Sequence, residues 1–454
     1  MRRIALVLLA ASSLLPAVMA SAATRPRYGG ILRVALRAAP TTLDPADLYQ
    51  SDSPTRSNLS RLMFDTLVTL DSRGRPQPSL ATSWQAEPGN QRWHFYLRPN
   101  VSFHDGTALT SDAVAASLRA ANPNWKVFPT GDAVVIESDA PDADLPAQLA
   151  LARNGIAKRD GRLLGTGPFA IADWQPGKML TLAARDDYWG GRSFVDSVVI
   201  EMGKSYRDQM ISLDLGKVDL IEVASGQARQ AAAENRRIES SAPLELMCLL
   251  FTRAPQSSEE GRLRQALALS IDRASLNSVL LQGSGEVSGG LLPDWLTGYG
   301  FLFPAEVNLP QARQLRADLH QASPWTLGYD SADPLEGLIA ERIALNARDV
   351  GIVLQLTSSN SPDVRLVRVP LASLDSGVAL KMIAQALGIP FPALAGNSVH
   401  DLYVAENGLL ESQRVIPLLY VRVAVGIGPT VRNWSARPDG IWPVQDVWLG
   451  AERP

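Results

Sequence analysis

The sequence predicts an α/β protein that is divided into two or three domains. Its 454 residues exceed the length of one ordinary domain. Residues 205–223 form a helix pattern that ends at Gly216 and runs into a buried strand. Residues 325–356 form a strand–helix–strand pattern, with Gly351 before the last strand. This alternation of helices and strands is typical of crossover units in an α/β sheet.

The first predicted strand, GGILRVAL, spans residues 29–36. The proline-punctuated loop APTTLDPA follows it and exposes Thr41, Thr42 and Leu43 at the end of the strand. In open α/β sheets, strand ends of this kind border the ligand crevice. We therefore predict that these three residues contact a ligand. A helix-like run over residues 57–71 comes next.

The stretch FHDGTALTSDAV, residues 103–114, places His104 beside Asp105. Asp105-Gly106 is a turn signal, Thr110 is a good N-cap, and Asp112 complements the dipole of the helix that follows. The pair lacks a partner serine and a second histidine at metal-ligand spacing. The pattern favours a turn and a helix cap over a reactive or metal-binding pair.

The remaining elements are predicted from periodicity and turn residues. They are a half-buried strand at 93–99, two strands joined by the turn 175–177, a strand at 195–202, two consecutive helices within 261–283 with Asp272 capping the second, and a long apolar strand from Val415 to Gly428.

The amino terminus has the pattern of an export signal. Arg2 and Arg3 precede an apolar run, and small residues lead to a cleavage point before Ala23, so residues 1–22 are predicted to be a signal peptide. Later segments offer no stretch of about 18 uninterrupted apolar residues. Cys248, the only cysteine, lies in an apolar run, so neither a disulfide framework nor a lipobox cysteine is expected. We expect a free periplasmic protein.

Several function classes are excluded or unsupported. A formal charge of −3 does not suit a nucleic-acid binder. Residues 202–205 lack the upstream glycine of a phosphate-binding loop, and Ser288 comes one residue late for a nucleophile elbow. The histidines, His94, His104, His320 and His400, are scattered without metal-ligand spacing. We therefore predict no catalytic residues, no metal site and no cofactor, which is the profile of a binding protein.

Segments along most of the chain together resemble the solute-binding proteins of ABC importers in the dipeptide, oligopeptide and nickel class, known as extracellular solute-binding family 5. They occur in the family's order, and the block at 93–118 is the most specific. The segments are 28–36 with 42–46, 62–84, 93–118, 165–191, 263–276, and 402–420 with 431–434.

The resemblance implies a two-lobed periplasmic binding protein of type II, with mixed sheets, an extra subdomain in the first lobe and two crossings between the lobes. The implied first lobe comprises residues 27–245 and 415–454, with the subdomain at about 58–163. The implied second lobe is 246–414, shorter than is usual in the family. The implied crossings lie near 241–251 and 413–422.

The resemblance also implies a function, in which a peptide or other small solute is captured between the lobes and delivered to an inner-membrane ABC permease by a monomeric protein. Trp295 and Tyr299 lie in a loop that resembles a cleft-lining loop of the family. The family's amino-terminus-binding carboxylate has no matching segment in 357–400, where Asp375 is the nearest acidic residue. We predict these three residues as further ligand contacts.

Two alternatives stay open on sequence alone. The same fold without a transport role would serve as a periplasmic sensor or chaperone-like binding protein, for which the short second lobe is the argument. A periplasmic hydrolase that uses His104 rests only on the His104-Asp105 pair.

Overall fold

The computed structural model describes residues 25–47, 53–317, 324–359, 361–392, 394, 396 and 398–450. The predicted signal peptide and His320 lie outside these residues. Within them, none of the helices combines the length and the apolar character that crossing a membrane requires.

The first third of the chain starts a large sheet and builds a small separate one. Its elements are β1 (Ile31–Ala35), α1 (Pro54–Met63), β2 (Val68–Leu70), β3 (Pro76–Pro78), β4 (Ala81–Ala86), β5 (Arg92–Leu97), α2 (Ser111–Ala121), β6 (Lys126–Thr130), β7 (Ala133–Glu137), α3 (Leu145–Gln148), β8 (Lys158–Asp160) and β9 (Arg162–Leu164).

The helix-like run predicted over 57–71 is shorter in the structure, because α1 ends at Met63. The Met63 carbonyl accepts a hydrogen bond from the Gly167 N–H (3.0 Å), a partner from outside the helix. The chain turns extended at Phe64 and enters β2 instead.

The middle of the chain completes the first part of the large sheet and enters the second lobe. Its elements are β10 (Phe169–Gln175), β11 (Met179–Ala184), β12 (Ser197–Glu201), α4 (Tyr206–Asp214), β13 (Leu220–Val223), α5 (Ala228–Ala233), β14 (Arg237–Phe251), α6 (Ser258–Ser270), α7 (Arg273–Ser275), β15 (Glu286–Val287), α8 (Asp294–Thr297) and α9 (Leu309–Ala317).

The last part of the chain finishes the second lobe and returns to the first. Its elements are β16 (Trp325–Gly328), α10 (Pro334–Arg348), β17 (Leu354–Thr357), β18 (Val364–Pro370), α11 (Ser376–Ala386), α12 (Val399–Glu411), β19 (Val415–Ile427), β20 (Val431–Arg432) and β21 (Trp448–Leu449).

One mixed sheet joins the two lobes. In the described residues it has eleven strands, ten of them in the order β10-β11-β12-β1-β13-β19-β14-β18-β16-β17, with β15 paired to β19. In the division that the resemblance implies, β10, β11, β12, β1 and β13 belong to the first lobe, and β18, β16 and β17 belong to the second. Strands β14 and β19 pair antiparallel from Arg237–Ile427 to Leu250–Val415, so both crossings run within one two-stranded ribbon. The two-lobed α/β fold with two crossings is thereby confirmed.

The ribbon is irregular where it passes between the lobes. The pairing of β14 with β19 shifts between Ser240 and Pro243, again before Glu245, and again between Met247 and Cys248. Pro243 has no N–H to donate to the ladder, and shifts of this kind bend and twist a strand. The irregular pairing therefore bends and twists the crossing at residues 240–248.

Each lobe has its own core, and the subdomain has another. In the subdomain, α2 packs on the β4-β5-β7-β6 sheet, with Trp93 and Phe95 buried and Tyr96 exposed, as the alternation predicted. Cys248 is a free, fully buried thiol in the second-lobe core, and burial raises its pKa to about 12.

Candidate ligand-binding cleft

Two cavities lie between the lobes, and residues of both lobes line each of them. The first, which we call the Arg61 cavity, has a volume of about 370 Å³ and lies between α1, the ribbon residue Leu244, the segment 370–374 after β18, and the carboxy-terminal segment 437–446. The second, the Arg153 cavity, has about 460 Å³ and lies between Arg153 and the second-lobe elements β18 and α11. Pro370 and Ala372 border both cavities.

Direct contacts also join the lobes. One of them, which we call the acidic contact, packs Ala147 and Leu151 of the subdomain against Val378 and Met382 of α11. Close by, a methyl group built on Gly74 would lie 2.2 Å from the Leu374 carbonyl oxygen, so the two backbones touch. This contact fixes one edge of the cleft.

The acidic contact takes its name from two carboxyl groups that face each other across it. A methyl group built on Gly377 would lie 3.1 Å from Asp144 Oδ2 and 3.5 Å from Asp375 Oδ1. Burial and the neighbouring Asp375 raise the pKa of Asp144 to about 6, and burial raises the pKa of Asp375. Asp375 therefore makes it harder for Asp144 to ionise.

A second contact between the lobes, the ion-pair contact, joins opposite charges. Arg37, just after β1, pairs with Asp330 (2.8 Å) and lies 3.7 Å from Asp333, both in the second lobe. Asp333 also pairs with Arg368 of β18 (2.6 Å), which in turn pairs with Glu336 (3.0 Å). Arg37 and Arg368 thus hold three second-lobe carboxylates at the lobe boundary.

Thr41, Thr42 and Leu43 line a different cavity, which we call the first-lobe cavity. It has about 630 Å³, and the described residues around it all belong to the first lobe, including the hairpin β8–β9 and Trp174. Its polar edge is the ion pair of Arg159 with Asp44, whose two N–O distances are both 2.6 Å. Ligand contact by the three residues stays a prediction.

Trp295 and Tyr299 are separated by the structure. Trp295 is 37% exposed, and its indole N–H donates to the carbonyl of Pro243 in the ribbon (3.3 Å). Tyr299 is only 5% exposed, and its hydroxyl donates to the buried carboxylate of Glu406 (2.8 Å). Glu406 also accepts the backbone N–H groups of Leu291 and Leu292. Of the two aromatic residues, only Trp295 reaches the region where the lobes join.

Asp375 caps α11 by accepting the Val378 N–H (2.9 Å). Its carboxylate therefore has a structural task in addition to its place in the acidic contact. A ligand role for Asp375 stays a prediction.

The His104-Asp105 stretch forms the predicted turn and cap. His104 Nδ1 accepts the Gly165 N–H (3.2 Å), His104 Nε2 lies 3.3 Å from the Gly167 carbonyl, and burial lowers the pKa of His104 to about 4. Asp105 accepts the Thr107 hydroxyl and pairs with Lys158, and Thr110 caps α2. In the described part of the chain, no group of three or more potential metal ligands occurs.

Sequence reasoning missed the cationic residues of the cleft. Arg61 and Arg153 line the two interlobe cavities, and Arg37 crosses the lobe boundary. The sequence contains a signal for Arg61, because this residue is a lone cation in the apolar end of a helix, SRLMF. Nothing local marks Arg37, since its ion-pair partners lie 293 and more residues along the chain.

Residues 75–369 match the family model described as bacterial extracellular solute-binding proteins, family 5, middle region. The chain belongs to this family. A family 5 protein is by description a binder of solutes outside the cytoplasm, which agrees with cavities that two lobes share.

Individual relatives are distant. The oligopeptide-binding protein AppA of Bacillus subtilis (strain 168) is 24% identical over 322 residues, which are 64% of this chain and 58% of AppA. The probable D,D-dipeptide-binding periplasmic protein DdpA of Escherichia coli (strain K12) is 24% identical over 304 residues, 59% of this chain and 58% of DdpA. The chain therefore matches less than two thirds of the length of either relative.

Solved structures share the fold over nearly their whole length. DppA from Helicobacter pylori, in complex with the peptide STSA, aligns with a TM-score of 0.78 at 19% identity, covering 94% of this chain and 99% of that chain. NikA from Staphylococcus aureus, in complex with Ni(L-His)2, aligns with a TM-score of 0.74 at 17% identity, covering 92% and 99%. At these identities the likeness shows the family 5 fold.

Proposed function

We propose that this family 5 protein is the periplasmic substrate-binding component of an ABC importer. It captures a peptide or another small solute between its lobes and delivers it to a permease in the inner membrane. It acts as a monomer, without catalysis and without a cofactor. The first lobe comprises residues 27–245 and 415–454, the second comprises 246–414, and the protein reaches the periplasm through a signal peptide at 1–22.

The single observation that carries the proposal is that both lobes line both interlobe cavities, beside a ribbon that bends. A ligand in either cavity touches the first lobe on one side and the second lobe on the other. Contacts made only when the lobes are together favour the closed arrangement, and closure creates a surface that a transporter can recognise.

The size of the cavities bears on the ligand. Volumes of about 370 and 460 Å³ lie towards the small end of the roughly 300–1,000 Å³ range of ligand pockets. Relatives are named for oligopeptides, dipeptides and nickel. A small solute or a peptide of a few residues suits cavities of this size better than a long peptide does. Among the predicted contacts, Trp295 is placed best, because it bonds to the ribbon at Pro243.

His104 lines the first-lobe cavity, but its hydrogen bonds are structural and do not support the reading as a hydrolase. Its ring is held between the backbones of Gly165 and Gly167, and Asp105 is engaged by Thr107 and Lys158. The two open cavities likewise support a ligand-binding cleft over one filled by its own side chains.

Native mass spectrometry of the mature exported protein, purified gently from periplasm, tests the proposal. We expect a retained small molecule, and removal of that molecule should open the lobes in small-angle X-ray scattering. A protein that retains nothing and whose scattering stays unchanged across a broad solute library would contradict it. That outcome would favour the reading without a transport role.

A further inference from the structure

Arg61 lies in α1 and lines the Arg61 cavity. Its guanidinium donates one hydrogen bond, from Nη2 to the carbonyl of Ala150 (3.0 Å). A guanidinium has five N–H donors arranged in a fork. Most of the donor capacity of Arg61 is therefore not used by that bond.

Among the described residues, Arg61 forms no ion pair. The carboxylate that acts on its charge is Asp439, which already accepts both Nε and Nη2 of Arg437 (3.1 and 2.9 Å). Burial lowers the pKa of Arg61, because the charged form loses hydration. A partly buried guanidinium in this position is stabilised when an anion pairs with it.

Other partly or fully buried arginines show how the fold satisfies such a group when the role is structural. Arg273 donates to backbone carbonyls, among them those of Pro417 and Ala268. Arg264 pairs with Glu260 at 2.6 Å, and Arg368 pairs with Asp333 and Glu336. Arg61 has neither a carboxylate nor a set of carbonyls.

The residues around Arg61 indicate which kind of ligand would fit the cavity. Apolar side chains of both lobes form much of the cavity wall, including Leu62, Leu244, Leu371 and Trp442. A guanidinium binds a carboxylate through two parallel hydrogen bonds. Arg437, Asp439, Asp65 and Asp446 line the cavity as well, and Arg437 and Asp439 pair with each other. The site thus offers one guanidinium without an ion-pair partner among the described residues, beside apolar side chains of both lobes.

We propose that Arg61 binds the carboxylate of the solute, so that the Arg61 cavity takes a small carboxylic acid with an apolar body. This inference rests on the proposed function, since it names the ligand class for the interlobe cleft. An inorganic phosphate would suit the same fork but would leave the apolar walls uncovered.

The experiment measures binding by calorimetry for a panel of N-acetyl amino acids and dipeptides, each beside its carboxamide, with inorganic phosphate as a separate probe. We expect at least one carboxylate to bind wild-type protein on the order of 10- to 100-fold more tightly than its carboxamide. Arg61→Gln should remove that preference. Arg236→Gln, which breaks ion pairs with the exposed carboxylates of Asp214 and Glu234, is the matched control and should keep it.

A second measurement guards against a merely structural role. Thermal unfolding of ligand-free Arg61→Met should show a midpoint equal to or above that of wild type, because the variant removes a partly buried charge that has no ion-pair partner among the described residues. A clear fall in the midpoint would show that Arg61 serves the fold through Ala150 and would overturn the inference.

The possible binding results distinguish a failure of this inference from a failure of the proposed function. Equal binding of acids and amides, phosphate binding alone, or an unchanged preference in Arg61→Gln overturns the role of Arg61. If the protein still retains a solute and closes on it, the proposed function stands. If no carboxylate binds, the inference fails, and if in addition no solute of any kind closes the lobes, the proposed function fails with it.

Discussion

The ion-pair contact and the acidic contact join the same two lobes through opposite electrostatics. At the first, Arg37 meets Asp330 and Asp333, so ionised carboxylates hold the lobes together. At the second, Asp144 faces Asp375, so ionised carboxylates push the lobes apart, and apolar packing supplies the attraction. Salt and pH should therefore act on different contacts of one cleft.

The largest effect is expected at the ion-pair contact, from Arg368→Ala. The change leaves Asp333 and Glu336, whose side chains are 6% and 7% exposed, without the cation at hydrogen-bond distance. Breaking a buried pair on one side costs about 3–5 kcal/mol of unfolding free energy. Urea denaturation at neutral pH measures it.

Arg236→Ala, which breaks an exposed pair, is the control and should cost less than about 1 kcal/mol. An Arg368→Ala loss as small as that of the control would contradict the account of Arg368 as the cation that holds the buried acids.

The acidic contact predicts a pH dependence of intermediate size. The pKa of Asp144 is about 6 in the folded protein and 3.8 ordinarily, so the folded state holds the proton more tightly. The resulting stability is full below pH 4 and is lost as the pH rises through 6. Asp375, Asp142 and Lys381 are the charged groups that act on Asp144, and the first two raise its pKa.

Asp144→Asn should remove this dependence and raise stability at pH 7 by about 1 kcal/mol, a figure reduced for solvent screening at this partly exposed group. Urea midpoints between pH 4 and pH 7 measure it, with Asp160→Asn in the exposed β8–β9 hairpin as the control. Parallel pH profiles for wild type and Asp144→Asn would mean that the two carboxyl groups do not interact in solution.

The smallest effect is expected from Arg37→Gln. The Arg37 and Asp330 side chains are 34% and 47% exposed, so the pair contributes less than about 1 kcal/mol. Its loss should shift the ligand-free protein toward the open arrangement, measured by energy transfer between dyes on the two lobes. Wild type should open further as salt rises to roughly 0.5 M, because ions screen exposed charges. If Arg37→Gln responds to salt as wild type does, another contact carries the salt dependence.

Local patterns predicted much of this fold because their physical causes lie within a few residues. Alternation placed Trp93 and Phe95 inside, and turn and cap residues placed His104 and Thr110. The end of α1 was predicted wrongly, and there the Met63 carbonyl accepts the N–H of Gly167, more than a hundred residues away, a contact that no local pattern reveals. The cleft was harder still. The sequence shows Tyr299 as an aromatic residue in a loop and does not show that its hydroxyl binds Glu406. Asp144 and Asp375 come near each other only when the lobes are together.

Because both crossings lie in one hydrogen-bonded ribbon, we expect the joint between the lobes to keep its backbone order when the lobes open. Opening should then change the twist of β14 and β19, and it should not release two flexible loops. The open state therefore gains little chain entropy, and closing need not recover it. The free energy of ligand binding can therefore be used almost entirely to stabilise the closed arrangement. Even a small solute can then determine the relative orientation of two large lobes.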